Sequence, residues 1–189
     1  MNPGDFHVVE TTSADIETIR QIHCDTFGYD KEARLTEQLL GDPTAEPRVS
    51  LLAFHSGKPV GHILFIRSSF RGRDEPGMIY ILAPLAVVRE YQRQGVGGVL
   101  IREGLKRLKA MGSLAVFVLG HKEYYPKYGF KPHASRRGFM TPYPMPDELG
   151  EYWMYQFLCP EAEALEGGAI QCAHTLDRPE HWRDDENDR

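Results

Sequence analysis

The run Tyr91-Gln-Arg-Gln-Gly-Val-Gly-Gly98 sets glycines, amide side chains and a guanidinium between an apolar stretch and an amphipathic one. A helix that starts here has first-turn N–H groups without intrahelical partners, at the positive end of its dipole. Gly95, Gly97 and Gly98 let an anion approach those amides with no Cβ in the way, and Arg93 adds a mobile cation. A diphosphate suits this environment better than a neutral ligand. The spacing is not that of two other phosphate loops: GxGxxG needs glycine where Leu100 stands, and GxxxxGK[ST] is absent. On these residues alone a second reading stays open, a glycine-rich helix start that only packs closely on a sheet.

Further along, Tyr124, Tyr125 and Tyr128 offer phenols, with an ordinary pKa of about 10, that can give a proton to a leaving group. Aromatic packing is the other reading for all three. Cys159, Cys172 and His174 match no closed four-ligand spacing, so no metal is expected. His62 reads as a packing histidine with satisfied nitrogens.

The elements that must position these residues follow from periodicity. Phe6–Glu10 alternates as a short strand, and Thr12-Ser-Ala-Asp15 forms a capping box ahead of a helix with Ile16, Ile19, Ile22, His23 and Phe27 at helical spacing, ended by Gly28. Lys31–Leu40 is a second helix. Val49–His55 and Val60–Ile66 are strands of a hairpin turned through Gly57, and Ser68–Gly77 is a loop. Ile79–Val88 is a central strand covered on both faces, where Pro84, unable to donate to the ladder, predicts a bulge. A helix over Val96–Met111 and a strand over Leu114–Leu119 complete a right-handed parallel crossover. His121–Tyr128 is a short helix or turn, Tyr152–Leu158 a last strand, Ala169–Ala173 a further short one, and Asp177–Arg189 a frayed tail.

Composition excludes several classes. With 189 residues, a net charge of −5 and an acidic cluster at Asp184, Asp185, Glu186 and Asp188, the chain lacks the basic excess of a nucleic-acid or anionic-membrane binder. No apolar stretch is long enough to span a bilayer, and no basic-then-apolar leader opens the chain. Cys24, Cys159 and Cys172 form no CxxC pair, which points to a reducing compartment, and a cytoplasmic protein is expected.

Leu85-Ala-Val-Val-Arg-Glu-Tyr-Gln-Arg-Gln-Gly-Val-Gly97 resembles the acetyl-CoA-binding motif of the GNAT family of N-acetyltransferases, whose core [RQ]-x-x-G-x-[GA] is here Gln92-Arg93-Gln94-Gly95-Val96-Gly97. Tyr124-Tyr-Pro-Lys-Tyr-Gly-Phe130 resembles the family's later tyrosine element. Together with Ala115-Val-Phe-Val-Leu-Gly120, it is similar to the bacterial subgroup called YhbS-like. The resemblance implies an α/β fold whose mixed, mostly antiparallel sheet is splayed at a central parallel strand pair, with helices on both faces. It covers residues 1–160, leaving 161–189 as a C-terminal extension with a partly disordered acidic tail.

The same resemblance implies acetyl transfer from acetyl-CoA to a primary amine, by direct attack on the thioester. Leu85, Ala86 and Val87 would pair with the pantetheine arm, with the Val87 N–H donating to the thioester oxygen. Gln92, Arg93, Gln94, Gly95, Val96, Gly97 and Gly98 would hold the pyrophosphate. Tyr125 matches the family tyrosine that contacts the coenzyme and protonates the departing sulfur, with Tyr124 and Tyr128 as rivals. Many relatives carry a carboxylate where this chain has Tyr80-Ile-Leu-Ala83, so the base is left to His23, Asp30, Glu32, His121, Glu123 or ordered water. The acceptor is a small-molecule or peptide amine, met by the first two helices, the Arg67–Gly77 loop and Phe130–Tyr152. A monomer or homodimer is expected. The alternative reading is a non-catalytic acyl-CoA-binding regulatory module.

Overall fold

The computed structural model describes residues 5–73 and 78–182. Its strands are β1 (His7–Glu10), β2 (Val49–His55), β3 (Lys58–Phe70), β4 (Met78–Val87), β5 (Ser113–Leu119), β6 (Phe139–Met140), β7 (Trp153–Phe157) and β8 (Gly168–Gln171). Its α-helices are α1 (Ile16–Phe27), α2 (Lys31–Gly41) and α3 (Val96–Ala110). The main sheet runs β1-β2-β3-β4-β5-β7; β4 and β5 are parallel and the other neighbours antiparallel. This is the expected mixed sheet with one parallel pair.

Local chemistry sets the boundaries. Thr12 and Asp15 form the capping box: the Asp15 carboxylate accepts from the Thr12 N–H at 2.7 Å, and the Thr12 hydroxyl accepts from the Ala14 N–H. The chain continues from that turn into α1, which stops at Gly28 in the left-handed region. Between β2 and β3, Ser56 and Gly57 both take positive φ, the two-residue turn whose twist matches a hairpin.

Strand alternation divides the core. Leu51, Ala53, Ile63, Phe65, Tyr80, Leu82, Val116, Val118 and Met154 meet Val96, Leu100, Ile101 and Leu108 of α3 on one face. On the other, Leu52 and Ala86 pack against Ile19 and Ile22 of α1. Further along that face, Leu64, Ile66, Ile79, Ile81, Phe117 and Trp153 meet Leu39 of α2 together with Ile170, Cys172, Leu176 and Trp182. Each such fully buried aliphatic or aromatic side chain contributes about 1.5–3 kcal/mol relative to exposure.

Three expectations need correction. β3 runs on past Ile66 to Phe70, because Phe70 is buried and residues 69–70 pair with β8. The expected loop from Ser68 therefore begins only after Phe70, and residues 74–77 lie outside the described residues. The frayed tail does not begin at Asp177. Trp182 is buried, donates its indole N–H to the Leu176 carbonyl at 2.9 Å and packs edge-on against Trp153; residues 183–189 lie outside the described ones.

One of the ties that hold the segment after β7 is a carboxylate. Asp42 accepts from the Thr44 N–H and hydroxyl and, across the chain, from the Thr175 N–H at 2.8 Å. Burial pushes this carboxyl up, but the hydrogen bonds from Thr44 and Thr175 outweigh it and hold the pKa at about 2. Its contribution to stability is present above the unfolded carboxyl's pKa and is lost as pH falls through about 2. Asp42→Ala is expected to cost about 2 kcal/mol in urea unfolding at neutral pH, since it orphans the Thr175 amide. An unchanged midpoint would refute the clamp.

Candidate active site

The site grows from a strand that loses its neighbour. β4 pairs with β5 from Met78 opposite Ser113 as far as Ile81 opposite Phe117, while its other edge stays paired with β3 out to Val87. Beyond Phe117, β5 continues beside β7, with Leu119 opposite Trp153. Leu82–Val87 therefore keeps one edge without a strand partner. The bulge predicted at Pro84 is present: Ile63 faces Leu85 and Phe65 faces Leu82, so Leu64 stands opposite both Ala83 and Pro84. After the bulge, Leu85 and Val87 lean onto the α3 face of the sheet, and Ala86 is buried on the α1 face, opposite His62.

β4 then feeds the glycine turn. The Gln92 amide donates to the Val87 carbonyl at 3.0 Å and the Gln94 amide to the Glu90 carbonyl at 2.6 Å, so both glutamines bind the turn to itself. Arg93 is exposed, at φ 60°. Gly95 caps α3 at φ 94°, a conformation costing an L-residue about 1–2 kcal/mol. No side chain caps the helix, and its first intrahelical bond is Val99 N–H to the Gly95 carbonyl. The N–H groups of Val96, Gly97 and Gly98 are thus left without intrahelical acceptors, and buried Val96 anchors them against Gly61. This donor set at a helix N-terminus fits a pyrophosphate.

The tyrosines close the far wall through glycines. A Cβ on Gly97 would lie 2.2 Å from the Tyr124 hydroxyl and 3.5 Å from a Leu85 methyl, and one on Gly98 would meet the Tyr128 hydroxyl at 2.6 Å. The second reading of these glycines, close packing, is therefore also realised, with tyrosines as the partners. Tyr125 instead packs on Gly120, just past the end of β5, where a Cβ would meet its ring at 2.4 Å. Burial pushes the Tyr125 phenol well above its usual range. Tyr124 is raised by burial and then by its hydrogen bond with Tyr128. The residues expected to hold the coenzyme lie along β4, the turn and these tyrosines; the Ala86 side chain faces α1, and Tyr125 packs on Gly120 rather than on the glycine turn.

Along β4 from Tyr80 to Ala83 there is no carboxylate, as the sequence implies. Asp30 is ion-paired with Arg34. His121 and Glu123 line a cavity of about 380 Å³ with Lys122, Tyr124, Lys127 and Tyr152. His23 is fully buried, and its Nε2 lies 2.9 Å from Nδ1 of His62. His62 Nε2 in turn lies 2.9 Å from the Ser50 hydroxyl, which is 2.7 Å from that of Thr11. His62 is thus the satisfied packing histidine that the sequence implies, with a partner on each nitrogen, but the row it belongs to is not legible there. The available signal was a histidine on the apolar face of each of two elements, β3 and α1.

Comparison with known proteins gives the family and the fold. The model of the acetyltransferase (GNAT) family matches residues 16–130. The Escherichia coli K12 protein named uncharacterized N-acetyltransferase YjhQ is 48% identical over 168 residues, covering 89% of this chain and 91% of its own. Among solved structures, the E. coli GNAT N-acetyltransferase YhbS in complex with CoA superposes with a TM-score of 0.80 at 25% identity, covering 92% of this chain and 93% of that one. A Brucella melitensis GNAT acetyltransferase in complex with acetyl-CoA gives 0.71 at 25% identity, covering 90% and 97%.

The buried histidines make acid stability a test of the site's interior. Burial lowers His23 to about 4 and, with the His23 charge, holds His62 well below its usual value. Both groups are depressed, so their contribution is complete above pH 6.5 and falls as the pH drops toward about 4, where the unfolded chain binds protons that the folded chain refuses. Urea unfolding should show a loss of about 3 kcal/mol from His23 alone across this window. A midpoint flat between pH 7 and 5 would contradict the burial.

Proposed function

The chain belongs to the acetyltransferase (GNAT) family, and we propose that it moves an acetyl group from acetyl-CoA to the neutral form of a primary amine. The observation that carries this reading is the continuity of two features: the unpaired edge of Leu82–Val87 runs through a self-bonded turn into the uncapped N-terminus of α3. One offers an extended row of backbone groups, the other free amides at a positive dipole end. A long ligand with an amide-bearing arm and a diphosphate matches both.

In this reading the amides of Val96, Gly97 and Gly98 hold the pyrophosphate, with Arg93 as a surface counter-charge. The backbone of Leu85, Ala86 and Val87 pairs with the pantetheine arm. The coenzyme supplies an acetyl carbonyl activated as a thioester. The Val87 N–H donates to the carbonyl oxygen as negative charge develops there, stabilisation that needs no reorganisation of the site. The bulge at Pro84 keeps the strand edge clear for the arm.

Tyr125 serves the departing sulfur. A thiol has a pKa of about 8.5, so full transfer from a phenol raised above its usual range is uphill. What Tyr125 supplies is a hydrogen bond that strengthens as charge gathers on sulfur, the proton following as the thiol is released. Tyr124 offers a second assignment, because its hydroxyl abuts Gly97 and Leu85. The acceptor, a small-molecule or peptide amine, approaches between the α1–α2 pair and the segment before β7.

The tests are thiol release from acetyl-CoA with a panel of primary amines, and calorimetric binding of CoA. Tyr125→Phe is expected to lower turnover about a hundredfold with CoA affinity unchanged. Full turnover in Tyr125→Phe with loss in Tyr124→Phe would move the role to Tyr124. Binding without release by the unaltered chain would refute transfer.

A further inference from the structure

Arg102, on the exposed side of α3, is a cation that no acid answers. Among the described residues its guanidinium meets no carboxylate, because the neighbouring Glu103 is taken by Arg107 at 3.2 Å and by Lys106 at 3.7 Å. An aromatic ring holds it instead: the guanidinium carbon lies over the face of Tyr128, 5.8 Å from the centroid. On its other flank the side chain borders a groove over Phe6, Val8 and Val99, whose one acid is the same Glu103.

The Tyr128 ring is itself fixed. Its hydroxyl abuts Gly98, where a Cβ would lie 2.6 Å away, and it is hydrogen-bonded to Tyr124, whose own hydroxyl abuts Gly97. Arg102 stands one helical turn, about 5–6 Å, beyond Gly98 on the same face of α3. Helical side chains slant toward the N-terminus, so the guanidinium is carried back to the ring that borders the free amides. Its charge reaches the Tyr124 phenol, where it opposes the upward push of burial. A guanidinium held by its face still has its edge, a planar fork of N–H donors, to offer.

Coenzyme A carries negative charge in two places, the diphosphate and a phosphate on the 3′ carbon of the adjoining ribose. With the diphosphate on the amides of Val96, Gly97 and Gly98, the second phosphate lies one sugar's breadth away. We propose that Arg102 binds this ribose 3′-phosphate, so that the chain prefers CoA to 3′-dephospho-CoA. The proposal rests on the reading of the α3 N-terminus as the pyrophosphate site. Other nearby cations are placed differently: Arg93 sits in the turn itself, Lys122 is held by Glu151, and Lys127 lines the cavity with Lys122, which Arg102 does not border. Two N–H groups of a guanidinium match two oxygens of a phosphate, and the hydroxyl left by dephosphorylation offers no such pair.

Calorimetric titration of the whole chain with CoA and with 3′-dephospho-CoA, at low ionic strength, tests the contact. The unaltered chain should bind CoA about tenfold more tightly than the dephospho form. Arg102→Gln should weaken CoA binding by about that factor and erase the preference, while dephospho-CoA binding stays unchanged and so reports an intact fold. Lys109→Gln removes an exposed charge near the C-terminal end of the same helix and should leave the preference intact, which separates a contact from a general field. Equal losses for both ligands in Arg102→Gln, a preference kept in that variant, or one erased as fully by Lys109→Gln would each overturn the assignment. Equal binding of the two ligands by the unaltered chain removes the 3′-phosphate site alone. Binding of neither removes the coenzyme reading, and the site with it.

Discussion

Parallel pairing between β4 and β5 stops at Ile81 and Phe117, and the site depends on that interruption. A strand in the middle of a sheet normally has both edges satisfied, because an unpaired amide or carbonyl away from water is costly. Here the ladder on the β3 side is kept by admitting a bulge at Ala83–Pro84, while the β5 side is given up. β5 is then held by β7, whose Trp153 stands opposite Leu119, so the wall across from β4 has its own support. The free edge is thus a stable feature of the sheet, available to an extended partner.

Much of this was readable in the residues. The apolar run over Ile79–Val88, the proline inside it and the glycines that follow each carry a local signature, and local signatures do not depend on distant neighbours. The helix starting at Val96, the hairpin turn at Ser56-Gly57 and the capping box at Thr12 belong to the same class. The resemblance to GNAT enzymes supplied what local reading lacked, the meaning of the combination. The far end of β3 was not legible, because Ser69 and Phe70 become strand only by meeting β8, a hundred or so residues later in the chain. Trp182 escaped for the same reason: a polar, acidic neighbourhood reads as tail until a tertiary pocket claims one aromatic ring. The histidine chain is the extreme case, since it joins residues from the end of β1, from α1, and from two neighbouring strands.

The two faces of the sheet divide the labour. The α3 face is apolar up to the tyrosines, which seal the helix start through Gly97 and Gly98 and so fix where its free amides lie. The α1 face tolerates polar groups, but in a row where almost every hydrogen bond is satisfied. Ala86 separates that row from the strand edge with a single methyl group. A bulkier residue there would press on α1, so the smallness of this side chain serves the packing of the helix as well as the strand.

The chain has only two tryptophans, Trp153 and Trp182, and they meet edge-on with ring centroids 5.8 Å apart. Both therefore sit on the face covered by the segment after β7, away from the glycine turn. Tryptophan emission, excited apart from the nine tyrosines, is in effect a single-site reporter: it follows the docking of the segment ending at Trp182 onto the sheet. Because Trp153 also backs Leu119, the same signal is sensitive to any shift of the β5 wall, which gives the molecule a built-in optical gauge on one side of its cleft.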